Sequence, residues 1–385
     1  METFAFHLMP YQDIQDSMAW PFEKDSYDPE KGEEYYETYL DQLEYAAELG
    51  IDGLGVNEHH YAAYGLQPSP NLTAANLIAR TQDLDTTIAF FGNIAAIRKN
   101  PVRLAEEIAM LDAMSGGRII AGFPRGIPKE YFAYGIPLEE SRERHAEAWD
   151  LIVKCWTEEE PFDWDGEYFE YENVYLWPRP SQQPHPELWY PAESEKSLRF
   201  AAERQVGTGL VFQPAEEIGE RFGMYRQFAE EDYGWSPSDR HFTINRTVYV
   251  AETDEQAKEE ADEHLEFFYK KLTGADHLGT VARMMGDDFY QPERHDEYVE
   301  NLTKHGEFVL SYEYEKFREY GEVIAGSPET VIEEIERQFD VIGGFGRLSG
   351  VFQFGTLPDE LVRKNLELYV DEVKPAVDKL GDVNP

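Results

Sequence analysis

The chain has 385 residues with 34 Lys plus Arg against 77 Asp plus Glu, a formal charge of −43 at a pI near 4.4. Such a field repels polyanions and anionic bilayers, so a nucleic-acid binder or a membrane-surface protein is excluded unless basic residues cluster, and here they are scattered singly. With 42% hydrophobic and 14% aromatic residues the chain can still bury a large core, so the charge belongs to a folded globule.

The acidic excess runs through every polar face, in EEEP, EEIGERF and DEQAKEEADEH, a pattern expected of adaptation to high salt, where self-repulsion is screened. No run approaches the roughly 18 apolar residues of a membrane span. The opening METFAFHLMPYQDIQD has no basic leader or cleavage pattern, so a cytoplasmic protein is expected. The single cysteine, Cys155, lies in the helical pattern HAEAWDLIVKCW and is expected to be a buried thiol without a catalytic role.

In chain order, short β-type runs alternate with amphipathic segments. TFAFHLM from Thr3, DGLGVNE from Asp52, TTIAFFGNIAA from Thr86 and RIIAGFP from Arg118 are followed by ELWYPA from Glu187, GTGLVFQ from Gly207, HFTINRTVYVA from His241 and RLSGVFQFG from Arg347. Parallel neighbours need a crossover, and a helix covers the outer face, so strand-then-helix repeated eight times predicts an α/β fold of the (β/α)8 TIM-barrel type. Asn100 and Pro101 stand as cap and first-turn proline before VRLAEEIAMLDAM, and Gly116 and Gly117 end it. No G-x-G-x-x-G follows the first strand, which disfavours an open doubly wound sheet.

A minimal barrel needs roughly 250 residues, so insertions are required. One spans about 157–186, aromatic and proline-rich, and predicts a hairpin with an extended tail over the mouth or flank. The other spans about 274–298, after the seventh strand, and is a lid candidate. A single domain over 1–385 is the economical expectation.

Barrel enzymes build their sites at the carboxyl ends of the strands. There the second strand ends in Glu58, His59 and His60, the third passes Gly92 and Asn93, the fourth ends at Pro124, Arg125 and Gly126, and the fifth ends at Glu193 and Ser194. Adjacent histidines on a strand face opposite ways and no H-E-x-x-H spacing occurs, so no metal site is expected; one histidine should face the mouth, where an imidazole moves protons at neutral pH. Arg125 beside Gly126 suits a phosphate or other anion, or a salt bridge to a carboxylate such as Glu193. Ser194 opens the helical run EKSLRFAAER and can cap it while leaving first-turn amides free, with Ser197 one turn on. Phe6, Phe91, Phe123, Trp189 and Phe212 are candidates for an apolar pocket lining, or simply core.

The segments NEHHYAAYGLQPSPNLTAANLIARTQ, NPVRLAEEIAMLDAMSGGRIIAGFPRG and PAESEKSLRFAAER, with AGSPETVIEEIERQF and FQFGTLPDELVRKNLELYVDEVKPAV in the tail, resemble the bacterial luciferase-like flavin monooxygenases in order and spacing over most of the chain. The resemblance implies a luciferase-like TIM barrel, usually a homodimer, that binds reduced FMN from a separate flavin reductase. It implies oxygenation of a small apolar organic substrate through a flavin hydroperoxide, sheltered beneath the segment around Met284 and Met285. It places His59 beside the reactive flavin carbon, Arg125, Glu193, Ser194 and Ser197 around the flavin phosphate, and Gly92 and Asn93 at a non-proline cis peptide against the ring. Pro124 stands where light-emitting members carry a cysteine, so luminescence is not expected. Two alternatives remain at this point: an oxidoreductase of the same superfamily dependent on coenzyme F420, and a flavin-binding protein without catalysis.

Overall fold

A computed structural model describes residues 1–14, 22–286 and 303–381. The strands are β1 (Glu2–Phe6), β2 (Gly53–Val56), β3 (Thr87–Phe90), β4 (Ile119–Gly122), β5 (Phe162–Asp165), β6 (Glu170–Val174), β7 (Glu187–Trp189), β8 (Thr208–Leu210), β9 (Phe242–Val250), β10 (Val323–Gly326) and β11 (Arg347–Val351). The helices used below are α1 (Pro29–Glu48), α2 (Pro70–Arg80), α3 (Pro101–Ser115), α4 (Pro128–Tyr134), α5 (Ser141–Thr157), α6 (Glu195–Glu203), α7 (Ala215–Gln227), α8 (Asp254–Glu266) and α9 (Ala275–Gly286).

Parallel ladders run from β7 through β4, β3, β2, β1 and β11 to β9, and β8 pairs with β9. Between β7 and β8 the connection is one bridge, Trp189 to Gly207: Gly207 N donates to Leu188 O at 3.0 Å and Tyr190 N to Gly207 O at 2.8 Å. Through that bridge the path of paired strands returns on itself, which is the TIM-barrel arrangement. All eight expected strands lie in this ring. A further strand, β10, was not anticipated; it pairs with residues Thr247–Val250 of β9, beyond the stretch that pairs β8.

The ring interior is filled by Phe4, Ala89, Ile120 and Trp189, with Phe91 against them. Such large rings fit because the facing positions are bare: a Cβ on Gly53 would lie 2.8 Å from the Phe4 ring, and one on Gly209 2.7 Å from Trp189. Outside the ring, α3 shows the expected punctuation. Asn100 Oδ1 accepts from Arg103 N at 3.1 Å, Pro101 opens the helix, and Gly116 ends it at φ 72°.

The insertion after α5 forms the antiparallel β5–β6 hairpin on the barrel flank, not over the mouth. Glu147 of α5 holds its turn through Trp164 Nε1, Glu167 N, Tyr168 N and Phe169 N, and Gln182 in its tail bonds Asp112 at the far end of α3. Cys155 is buried as expected, and desolvation pushes its thiol up to about 12, which keeps it protonated. No described helix is long and apolar enough to cross a membrane.

At the amino ends of the strands the ring is plugged by charge. Arg347, 1% exposed, donates to Glu2 Oε2 at 2.8 Å and Glu187 Oε1 at 2.5 Å, and Arg240 donates to Glu187 Oε2 at 2.7 Å. Burial pushes the Glu187 carboxyl up, but the Arg347 charge and hydrogen bond outweigh it and hold the group below its ordinary value.

Candidate active site at the carboxyl ends of the strands

Because β2, β3, β4 and β7 are successive neighbours in the ring, His59, Gly92, Asn93, Arg125, Glu193, Ser194 and Ser197 come to one rim. Their roles there divide sharply.

Glu58 organises the rim. One oxygen accepts from His60 Nε2 at 2.7 Å; the other accepts from Ile94 N at 2.7 Å and Arg98 Nη2 at 2.8 Å. This ties the end of β2 to the loop after β3 and consumes His60, which also packs edge-on against Tyr134. His59 is the histidine of the pair turned to the mouth. Its Nδ1 lies 3.2 Å from Glu130 Oε1 and 3.3 Å from Tyr64 Oη, and Nε2 has no protein partner among the described residues. Desolvation lowers its pKa to about 4 although 23% of the side chain stays accessible, so the ring is neutral at pH 7.

Gly92 is needed for a close approach: a Cβ there would sit 2.5 Å from Glu58 N. Asn93 is fully buried and spent within the protein, donating to Asn71 Oδ1 at 2.7 Å and accepting from Arg98 Nη2 at 3.1 Å, so its side chain does not reach the mouth. The expected cis bond is not found between these residues. Among the described residues the cis bonds are Trp177–Pro178 and Gln183–Pro184, both before proline, where the cis form is least disfavoured.

Arg125 is half-buried at the end of β4, and its carbonyl accepts from Tyr131 Oη at 2.5 Å. Gly126 follows at φ 91°, a left-handed turn that leads the chain into α4. On the neighbouring strand Ser194 caps α6: its Oγ accepts from Ser197 N at 3.3 Å, and Ser197 Oγ donates to Ser194 O at 2.8 Å. The amides of Glu195 and Lys196 have no protein acceptor among the described residues, which leaves an open, partly positive helix start beside a guanidinium. Glu193 Oε1 accepts from Gln213 Nε2 at 2.8 Å. Gln213 in turn is anchored through its carbonyl by Arg246, a fully buried cation paired with Glu322 at 3.2 Å. Desolvation raises Glu322 to about 7 despite that cation.

The aromatic candidates split. Trp189 and Phe91 pack edge to face at 4.9 Å inside the ring, with Phe6 against Phe91 at 6.0 Å. Phe212 reaches the mouth side, 4.8 Å from the His305 ring. Phe123 is no lining residue: it is fully buried outside the ring against Trp149 and Trp156, because β4 residues alternate faces.

Sequence reasoning missed Glu130, Lys129, Asp276 and His277. Lys129 and Asp276, 2% and 1% exposed, form a buried ion pair that fastens α9 to α4, and His277 stacks near Tyr64 at 6.4 Å. The opening of the predicted lid therefore covers the His59 side of the rim; residues 287–298 of that insertion lie outside the described residues, as do the Met284 and Met285 side chains. PKEYF carries a proline at the first helical position and an acid one turn in, which marks a helix start but gives no sign of burial.

The arrangement suits a flat, polar, phosphate-bearing ligand. Near the strand ends Asn57 Oδ1, Gln213 Oε1 and Gln353 Oε1 are buried without a protein partner among the described residues, so unmet acceptors stand at the rim, with Arg125 and the α6 start able to take a phosphate. No group of three or more metal-ligating side chains occurs among the described residues.

Fold and comparisons together define a barrel enzyme. The chain belongs to the luciferase-like monooxygenase family, whose model matches residues 18–343, and it is an oxygenating enzyme of that family. It is 25% identical over 354 residues to the alkanal monooxygenase alpha chain of Photobacterium leiognathi, covering 91% of this chain and 96% of that one. It is 25% identical over 285 residues to the oxygenase component of the flavin-dependent trigonelline monooxygenase of Acinetobacter baylyi, covering 69% and 76%. Among solved structures it shares the fold of the FMN-bound oxygenating constituent of 3,6-diketocamphane monooxygenase from Pseudomonas putida, with a TM-score of 0.74 at 20% identity over 97% of this chain and 98% of that one. An F420-dependent secondary alcohol dehydrogenase shares it at 0.67 and 16% identity, covering 98% of each chain.

Proposed function

We propose that the protein is the oxygenase of a two-component system, taking reduced FMN from a flavin reductase and using dioxygen to oxygenate a small apolar organic substrate. The observation that carries this reading is the rim itself: a neutral imidazole with Nε2 open to the mouth, across neighbouring strands from a guanidinium and a helix start with unmet amides. Arg125, Ser194, Ser197 and the amides of Glu195 and Lys196 hold the phosphate. Glu193 is held by Gln213 at the edge of that cradle, Gly92 lets the backbone approach the ring, and Asn93 supports that loop from behind. The bound flavin supplies the oxygen chemistry. His59 moves a proton at Nε2, and α9, pinned by Lys129 and Asp276, excludes water on its side.

The whole chain acts as one catalytic domain, and two copies form a dimer. α2 and α3, tied by Asn71 and Glu107 at 2.7 Å, leave Leu72, Met110 and Met114 exposed at 74%, 53% and 51%, an apolar surface that a second copy covers. The uniform acidity fits a cytoplasm rich in salt.

The test is to mix the protein anaerobically with reduced FMN, and separately with reduced F420, in concentrated potassium chloride, then admit isotopically labelled dioxygen with a panel of apolar substrates. Label in a product formed only with FMN is expected. Turnover with F420 and no label would transfer the protein to hydride chemistry, and FMN oxidation unaffected by every substrate would leave a carrier without catalysis. His59→Ala should bind reduced FMN within about threefold of wild type while losing roughly a hundredfold in product rate.

A further inference from the structure

His59 and Glu130 meet through a single ring nitrogen, and this links the protonation of one to the other. Glu130 Oε2 accepts from Ile127 N, which leaves Oε1 to face His59 Nδ1 at 3.2 Å. A neutral imidazole carries its proton on one nitrogen only. When the Glu130 carboxyl holds a proton on Oε1, it donates to Nδ1, and the ring proton must sit on Nε2. When the carboxylate is ionised, Nδ1 carries the proton and donates to Oε1, and Nε2 is left with a lone pair. Tyr64 Oη, 3.3 Å from Nδ1, can donate or accept and follows either state.

We propose that Glu130 is the positioning residue that sets the tautomer of His59, so that Nε2 offers the mouth a proton donor when the pair is loaded and an acceptor when it is discharged. The balance is one proton. It leaves from Nε2, the proton on Oε1 crosses to Nδ1, and the carboxylate takes the negative charge. Reloading runs the same path backwards, so a buried carboxyl recharges a group at the mouth without itself reaching solvent.

The surroundings place this exchange near neutral pH. Desolvation raises Glu130 to about 8 and lowers His59 to about 4, so at pH 7 the pair is a carboxylic acid beside a neutral ring. The groups facing the pair are Glu58 and His60 on the same loop, Tyr64 beyond it, Lys129 on α4, and Asp276 and His277 on α9. Glu58 is held by Arg98 and His60, and Lys129 is paired with Asp276. The two carboxylates favour keeping the proton on Glu130, and the Lys129 cation opposes a charged His59.

What Nε2 acts upon rests on the flavin reading above; the tautomer exchange is a property of the chain alone and is tested on the protein without cofactor. Histidine labelled with 15N is incorporated, His59 is assigned by comparison with His59→Gln, and the long-range nitrogen–proton spectrum is followed from pH 6 to 10. Wild type should show the Nε2–H tautomer at pH 6.5 and change to Nδ1–H with a midpoint near pH 8. Glu130→Gln, checked for an unchanged far-ultraviolet spectrum, should keep one tautomer throughout, and Tyr64→Phe should still exchange. A wild-type ring that keeps one tautomer from pH 6 to 10, or the same exchange in Glu130→Gln, would overturn the proposal. If Glu130→Gln does not fold, the wild-type titration alone decides. A protein that shows the exchange yet binds no reduced FMN would overturn the functional reading and leave this one standing.

Discussion

The two ends of the barrel handle buried charge in opposite ways. At the amino ends Arg347, Glu187, Glu2 and Arg240 satisfy one another, and the Glu187 carboxyl is held below its ordinary value. At the carboxyl ends burial wins: Glu130 is pushed up to about 8, His59 down to about 4, and several polar atoms of the rim have no protein partner. A closed ion cluster is a plug whose breakage costs stability, whereas strained, partly unmet groups are tolerated where a ligand or a proton transfer uses them.

The sharpest way to break this comparison is at the plug. Arg347→Met leaves Glu2 without its cation and Glu187 with Arg240 alone, and should cost about 2–3 kcal/mol in denaturant unfolding, while the folded fraction binds reduced FMN within about twofold of wild type. Next comes the pH dependence of Glu130. Its folded value lies above the unfolded one, so its contribution is fully present below the ordinary carboxylate range and is lost as pH rises to about 8. At roughly 1.4 kcal/mol per pH unit, the stability of Glu130→Gln relative to wild type should improve by a few kcal/mol between pH 5 and 9, read from urea midpoints. Paired Glu187 carries the opposite sign: its contribution is present above the ordinary carboxylate range and fades as pH falls below it. Arg125→Ala should weaken reduced FMN about 10- to 100-fold with little change in unfolding. Ser194→Ala removes one cap and should cost about 1 kcal/mol of stability and a few-fold in FMN affinity, measured by the same titrations.

The ring was legible because each of its strands is a short apolar run punctuated by caps, as at Asn100, Pro101 and Gly116. β10 escaped because it follows the long insertion after β9, and because β9 serves two neighbours along nine residues. The places of His59, Arg125 and Ser194 at strand ends, and of Ser197 in the first turn of α6, were readable from the alternation of apolar runs and caps. Glu130 was not, since part of its surroundings, Asp276, lies far along the chain on a helix tied to α4 through Lys129. Asn93 shows the converse: a polar residue at a strand end, expected at the cofactor, is spent on Asn71 and Arg98.

The central claim, that the carboxyl-end rim is the working surface and the amino-end plug is not, is tested most directly by titrating Arg125→Ala and Arg347→Met side by side with reduced FMN under argon. The account predicts a 10- to 100-fold weaker complex for Arg125→Ala and near wild-type affinity for folded Arg347→Met. Equal affinities for the two variants, or a loss confined to Arg347→Met, would contradict it.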